Sequence, residues 1–362
     1  MLFRSHMRMK RKDSRRIKAL FVSCALCVLT AAVLSMQGCT ARTSRGKNMK
    51  IGVVVYNQTD TFLGELLQLF QKDVDGLRRD GEETAVLIRD AAGSQRTEDA
   101  EVQELLDNGC NVLCVNLVDR GVPSNIINMA KEADVPVIFF NREPVREDMN
   151  LWSRLYYIGA DAAQSGRMQG ELAAAAILSN SRIDKNSDGK IQYVVLEGEP
   201  GHQDTIMRTD RAVATLIEKG VSLDKLSYQI ANFSRAQAAN KMTQLIGQFG
   251  NKIELVLANN DAMALGAIDA YNRLTITETN RPVFLGIDGT KEGLSAVIDG
   301  SLAGTVYNDK NGQAMQMAKL CDALFHGDSL DGFGLRDGKY IYLPYEKVTA
   351  ENVRKYVVKQ DE

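Results

Sequence analysis

Histidine is almost missing from this 362-residue chain: there are three, and beyond the amino-terminal segment only His202 and His326 remain. Neither G-x-S-x-G nor H-E-x-x-H occurs, so the sequence offers no serine-hydrolase elbow and no zinc-protease helix. Paired carboxylates such as Asp204 and Asp288 are of the kind a glycosidase uses, but no other catalytic signature accompanies them. The expectation is a protein that is not an enzyme. Cysteine is also scarce, with six, and Cys24, Cys27 and Cys39 fall at the amino-terminal end, leaving Cys110, Cys114 and Cys321. If Cys110 and Cys114 share a strand, their Cα atoms are about 13 Å apart, too far to bridge, and they read as small core residues. Basic charge is lacking as well. Residues 1–38 hold eight of the 44 Lys and Arg but one of the 46 Asp and Glu, so the chain without them is near −9. An acidic surface argues against nucleic acid as a partner.

The eight basic residues lie within residues 1–18, ahead of an apolar run from Ala19 to Met36 and then Gly38-Cys39. A basic segment, an apolar segment and a small residue at the cut predict an export signal over residues 1–38. Cys39 after Gly38 resembles a bacterial lipobox, which would make residues 39–48 a polar, flexible, lipid-anchored tether. An uncleaved membrane anchor and an ordinary signal-peptidase site are the alternatives. All three readings put the protein outside the cytoplasm, at the cell surface or in the periplasm.

From Lys50 onward, β-branched runs alternate with helical patterns. KIGVVVY precedes a helix over 62–79, TAVLIRD one over 97–108, and VLCVNL one over 124–133, with PVIFFN closing the series. After an alanine-rich helix over 162–178 the alternation resumes with IQYVVLE, LSYQIAN, IELVLAN, VFLGID and GTVYN, each followed by a helical pattern. Strands separated by single helices imply right-handed βαβ units, and about 310 residues in two series predict an α/β protein of two doubly wound parallel-sheet lobes.

Polar residues collect just past the carboxyl ends of these strands: Asp60, Asn141, Asn260 with Asp261, Asp288, Asn308, and His202, Asp204 and Arg208 after GEPG. Ligands bind at that edge of open α/β sheets. Asp and Asn also cap helices at such positions, and any single one could be a cap. Asn both donates and accepts, carboxylates accept, and Arg donates from a rigid fork, so the set suits a ring of neighbouring hydroxyls, as on a sugar. Phe62 and Phe233 could cover the apolar faces of a pyranose, or could be core.

DKNSDGKIQ, residues 184–192, places Asp184, Asn186 and Asp188 at alternate positions before Gly189, as in the first half of an EF-hand loop. The second half departs, with Val195 where a bidentate Glu is required and a strand where a helix should leave. Asp, Asn and Gly also make good turns, so a Ca²⁺ loop and a plain turn both fit.

IGVVVY, VNLVD, VPVIFFNREP, YYIGAD, DKNSDGKIQYVVLEGEPGHQD, IELVLANNDAMALGA and LAGTVYND together resemble the bacterial galactose/glucose-binding proteins, exported receptors of sugar ABC transporters, over about residues 50–358. The resemblance implies a type I periplasmic-binding-protein fold with three hinge crossings. The N-terminal lobe would comprise 49–158 and 310–343, and the C-terminal lobe 159–309 and 344–362. It implies hexose ligands at Asp60, Phe62, Asn141, His202, Asp204, Arg208, Phe233, Asn260, Asp288 and Asn308, with Asp261 a neighbouring cap. Phe233 stands where the family has Trp, so the preference among hexoses is open. A structural Ca²⁺ is implied at Asp184, Asn186, Asp188, the Lys190 carbonyl, Gln192 and Glu254. The implied partners are an ABC permease or, alternatively, a chemoreceptor or sensor kinase, with the protein a monomer.

Overall fold

The computed structural model describes residues 48–361; the predicted export signal, Cys39 and the tether up to residue 47 lie outside the described residues. The first lobe begins with β1 (Met49–Val55), α1 (Thr61–Leu77), β2 (Thr84–Asp90), α2 (Gln95–Asp107), β3 (Val112–Asn116), α3 (Ser124–Glu132), β4 (Val137–Phe140), the single turn α4 (Arg146–Met149) and β5 (Leu155–Ala160). The second follows with α5 (Ala162–Ser179), β6 (Ile191–Glu197), α6 (Gln203–Glu218), β7 (Leu223–Ile230), α7 (Arg235–Phe249), β8 (Leu255–Ala258), α8 (Asp261–Arg273), β9 (Val283–Leu285), α9 (Lys291–Ile298) and β10 (Thr305–Asn308). Then α10 (Lys310–His326) returns to pack on α1, and β11 (Tyr340–Leu343) joins β5. Finally β12 (Tyr345–Val348) and α11 (Val353–Asp361) go back to the second lobe, where they meet β10 and α9.

The first sheet runs β11-β5-β4-β3-β1-β2 and every pairing in it is parallel. The second runs β7-β6-β8-β9 in parallel, and single bridges from Leu285 to Gly304 and Asp288 to Tyr307 carry it on to β10, which pairs antiparallel with β12. Both lobes therefore repeat one order, with the strand sequence reversing beside β1 in the first and beside β6 in the second. Such reversals open a crevice at the carboxyl ends of the strands.

The strand sequences explain the layering. β1, β3 and β4 are apolar runs buried along nearly their whole length, as strands covered by helices on both faces must be. In α1, Phe62, Leu63, Leu66, Leu67, Phe70 and Val74 form one buried stripe at helical spacing, laid on the face of the sheet that α10 also covers. Each large side chain buried in this way stabilises the fold by about 1.5–3 kcal/mol. Cys110, Cys114 and Cys321 are buried and unbridged, and the close pair is Cys114 with Cys321, whose Sγ atoms are 3.5 Å apart across β3 and α10.

Candidate functional site

Arg208 organises the second lobe's side of the crevice. It sits one turn into α6 and is 3 % exposed. Its Nη1 donates to Asn259 O (2.8 Å) and its Nη2 to Tyr345 Oη (3.2 Å). The same Nη2 is 2.9 Å from Asp204 and 3.6 Å from Asp288. The i,i+4 spacing puts Asp204 and Arg208 on one helix face, and the hinge-crossing segment brings Tyr345 from far along the sequence. Burial opposes the charge on Arg208, but Asp204, Tyr345 and Asp288 more than offset it and hold the guanidinium protonated. Burial raises the Asp204 carboxyl, with Arg208 pulling the other way. Asp288 is pushed well above the usual carboxylate range by burial and by Asp261, Asp60 and Asp204, with only Arg208 working against them.

The turns that carry these groups are strained. Asp288 has φ 115, Asn141 φ 60 and Phe233 φ 56, all in the left-handed region that non-glycine residues seldom occupy and that gathers at functional sites. Phe233 lies over the backbone of Gly198, where a Cβ would run into its ring, and meets His202 edge-on at 5.1 Å between ring centroids. His202 caps α6, its Nδ1 accepting from the Asp204 N–H (3.0 Å), so in the neutral ring the proton is on Nε2. Burial and the nearby Arg142, Arg208 and Arg120 drive its pKa well below the ordinary value.

Several predicted site residues are also helix caps. Asp60 Oδ1 accepts from Leu63 N (2.9 Å) while Oδ2 accepts from Tyr56 Oη (2.8 Å). Asn260 caps α8 through Met263 N (2.9 Å) and donates to Phe233 O (3.3 Å). Asp261, expected to be a cap, is not one. Its buried carboxylate receives Thr290 N (2.8 Å) and Thr305 Oγ1 (2.6 Å), tying the turn before α9 to β10, and the backbone at Gly286 and Gly293 leaves it room. Burial raises its pKa to about 6 against those hydrogen bonds. Asn308 is buried and accepts from Gln313 (2.7 Å), and Asn141 accepts from Asn116 (3.0 Å). Phe62 is 4 % exposed within the first lobe's apolar cluster, so it is a core side chain at the edge of the crevice region.

Sequence reading passed over Arg142, next to Asn141. Its guanidinium lies 3.5 Å from the centroid of the Tyr56 ring, donates to Val118 O (2.8 Å) and crosses to the second lobe to pair with Glu199 at 2.7 Å. An arginine directly after a strand-end asparagine was the available signal. The Nε atoms of Arg142 and Arg208 are buried with no protein partner among the described residues, the condition a ligand oxygen would relieve. Cavities of about 680 Å³ and 260 Å³ both reach Glu199 and Pro200; the larger is also lined by Tyr56, Asp60 and Phe233, the smaller by Arg142, His202 and Asp204. A cavity of about 530 Å³ near Glu254, Lys185 and Arg281 lies at the opposite ends of β8 and β9, so size alone does not mark the site.

That opposite end carries the predicted metal loop. Asp188 N donates to Asp184 Oδ1 (3.2 Å) and Asn186 Oδ1 (2.9 Å), and Gly189 N to Asp184 Oδ2 (2.9 Å). The Asn186 and Gln192 amides both donate to Asp188 Oδ2, each at 2.9 Å, and Lys190 N donates to Asp188 Oδ1 (2.8 Å). Glu254, 1 % exposed, accepts the backbone N–H groups of Lys185 and of Gln192 (3.0 Å), joining both ends of the loop to β8. Three carboxylates, two side-chain amide oxygens and a main-chain carbonyl are the hard-oxygen donors Ca²⁺ takes, and Glu254 is a buried carboxylate that forms no salt bridge among the described residues, so the residue types fit that ion. The three carboxylates do not all lie within 4.8 Å of one another; among the described residues the group of acids and histidine that does is Glu82, Asp322 and His326, in the first lobe.

The model of the periplasmic binding protein domain matches residues 51–329. This chain belongs to the periplasmic binding protein family. It is 33 % identical over 330 residues, 90 % of this chain and 97 % of the relative, to the D-galactose/methyl-galactoside binding periplasmic protein MglB of Haemophilus influenzae. A putative rhizopine-binding protein of Rhizobium meliloti is 28 % identical over 331 residues, covering 91 % of this chain and 96 % of its own. Among solved structures, an ABC transporter solute-binding protein of Bacillus halodurans with bound myo-inositol superimposes with a TM-score of 0.72 at 27 % identity, covering 87 % of this chain and 98 % of that one. Members of this family are solute-binding components of transport and not enzymes, in line with the missing catalytic signatures. Among the described residues no helix is long and apolar enough to cross a membrane.

Proposed function

We propose that this binding protein captures an aldohexose, galactose or glucose, between its lobes and delivers it to an ABC importer. The observation that carries the reading is the ladder Asp204–Arg208–Asp288, its Arg208 and Asp288 buried and its Asp204 open to the crevice cavity, on the same lobe as Phe233 and opposite Asp60 and Asn141. Charged acceptors and a planar donor fork match vicinal hydroxyls, and an aromatic ring with one open face matches the C–H side of a pyranose. The 33 % identity to a galactose-binding relative along 90 % of the chain supports a hexose over a pentose. A sugar touching both lobes binds the closed state more tightly than the open one, and that difference drives closure. Asp60 and Asn141 act from the first lobe; His202, Asp204, Arg208, Asn260, Asp288 and Asn308 act from the second.

Ca²⁺ would be held by Asp184, Asn186, Asp188, the Lys190 carbonyl, Gln192 and Glu254, where it would supply a cross-link between the loop and β8 away from the crevice. Cys39 would carry the lipid that retains the exported protein at the membrane. A thermal-shift screen of galactose, glucose, ribose and myo-inositol tests the specificity. Stabilisation by galactose or glucose well beyond that by the other two is expected, and a preference for ribose or myo-inositol would overturn the aldohexose reading.

A further inference from the structure

Glu65 stands on α1 one turn beyond the Asp60 cap, and its carboxylate reaches out of the first lobe. Its Oε1 accepts the backbone N–H of Lys291 (3.0 Å), the first residue of α9 in the second lobe. Its Oε2 pairs with the ammonium of Lys310, the first residue of α10, which is 2 % exposed. That ammonium also donates to Gly289 O (2.9 Å) and lies 5.8 Å from the Tyr307 ring centroid. An acid and a base on the first lobe thus grip one short backbone segment of the second: the carboxylate takes the N–H of residue 291 and the ammonium takes the C=O of residue 289. The segment begins at Asp288, the crevice carboxylate whose φ of 115 marks a strained turn, followed by Gly289 at φ 63, where a Cβ would press on Tyr307.

We infer that Glu65 and Lys310 are positioning residues: a two-pronged dock that seats the Asp288 turn when the lobes close and so sets how long the ligand is retained. This rests on the interlobe binding reading, but neither residue is asked to touch the ligand. The chemistry is selective for closure. Opening the lobes would separate both backbone partners from the pair and leave the ion pair itself intact within the first lobe. A nearly buried ammonium losing a carbonyl and a carboxylate losing an amide are losses of charge-assisted hydrogen bonds, each worth roughly a tenfold change in an equilibrium constant.

The charge-swapped double variant separates docking from simple ion pairing. Glu65→Lys with Lys310→Glu keeps an acid–base pair inside the first lobe, but an ammonium at position 65 cannot accept the N–H of Lys291 and a carboxylate at position 310 cannot donate to Gly289 O. We expect Glu65→Met, Lys310→Met and the double swap each to raise the galactose or glucose dissociation rate by about tenfold, with the association rate little changed and the swap recovering much of the thermal stability lost by Lys310→Met. Restoration of the dissociation rate by the swap, or an unchanged rate in Glu65→Met, would overturn the inference. The rates are measured with whichever of galactose, glucose, ribose or myo-inositol the unmodified protein binds, so the dock is tested even if the aldohexose reading fails. Unchanged dissociation of that sugar from Glu65→Met would contradict the dock independently of ligand identity, whereas no binding of either aldohexose by the unmodified protein would count only against the aldohexose reading.

Discussion

Without the Arg208 guanidinium, Asp204 and Asp288 would have no cation within salt-bridge distance among the described residues, because Arg208 lies 2.9 Å and 3.6 Å from them, with Arg208 and Asp288 buried and Asp204 mostly so. Breaking a buried pair by removing one partner costs about 3–5 kcal/mol. Arg208→Met should therefore abolish hexose binding and lower the urea midpoint; normal stability with normal affinity would show that the ladder is unimportant. Gly198 tests the aromatic platform without touching any charge. Gly198→Ala puts a methyl into the Phe233 ring, so the ring must shift at a cost of about 1–3 kcal/mol, and affinity should fall while the fold persists. Calorimetry on that variant checks it, and unchanged affinity would remove Phe233 from the site. At this scale the sequence was partly legible. Strand-end Asp and Asn were visible as candidates, but Asp60 and Asn260 are helix caps in their own right, and no single position reveals whether such a cap also faces a ligand. Arg142, Tyr345 and Glu65 were not visible, because their importance lies in partners from distant segments.

At the scale of elements, the loop over 184–192 and the end of α10 make separate predictions. If Ca²⁺ binds the loop as proposed, a chelator should lower the Tm by several degrees, since an ion at a hundredfold its Kd contributes about 2.7 kcal/mol, while sugar affinity stays within a small factor. No change in Tm would reduce DKNSDGKIQ to a turn. His326 at the end of α10 has both ring nitrogens against acceptors, Asp322 O at 2.8 Å and Glu82 Oε1 at 2.7 Å, which only the imidazolium satisfies together. Burial lowers its pKa, but the bonds to Glu82 and Asp322 outweigh it and the net shift is upward. A raised folded-state pKa gives stability that is complete below the unfolded value and lost as pH rises through the folded one. His326→Gln should therefore lower Tm at about pH 5.5 and matter little at about pH 9; an equal cost at both would refute the charged pair. Helices and strands of the two series were readable because apolar periodicity is local: α3 matches the predicted 124–133 to within a residue, and α1, α2 and α5 shift by no more than two residues at their ends. β5, β11 and β12 lacked the alternation that betrayed the rest, being short or rich in tyrosine, and only pairing with a preformed sheet makes them strands.

Over the whole molecule, the repeated strand order places two crevice walls on lobes that the chain links at Ala160–Ala162, Asn308–Lys310 and Leu343–Tyr345. Contacts that cross the gap, Arg142 with Glu199 and Glu65 with the start of α9, join groups remote in sequence, so the closed arrangement could be inferred from resemblance but not from local pattern. The central claim is that this crevice encloses an aldohexose. Calorimetric titration of the exported protein with D-galactose and D-glucose, beside the Arg208→Met variant, tests it most directly. One-to-one binding of at least one of these sugars, absent in the variant, is the expected result; no heat from either sugar, or undiminished binding by the variant, would contradict the claim.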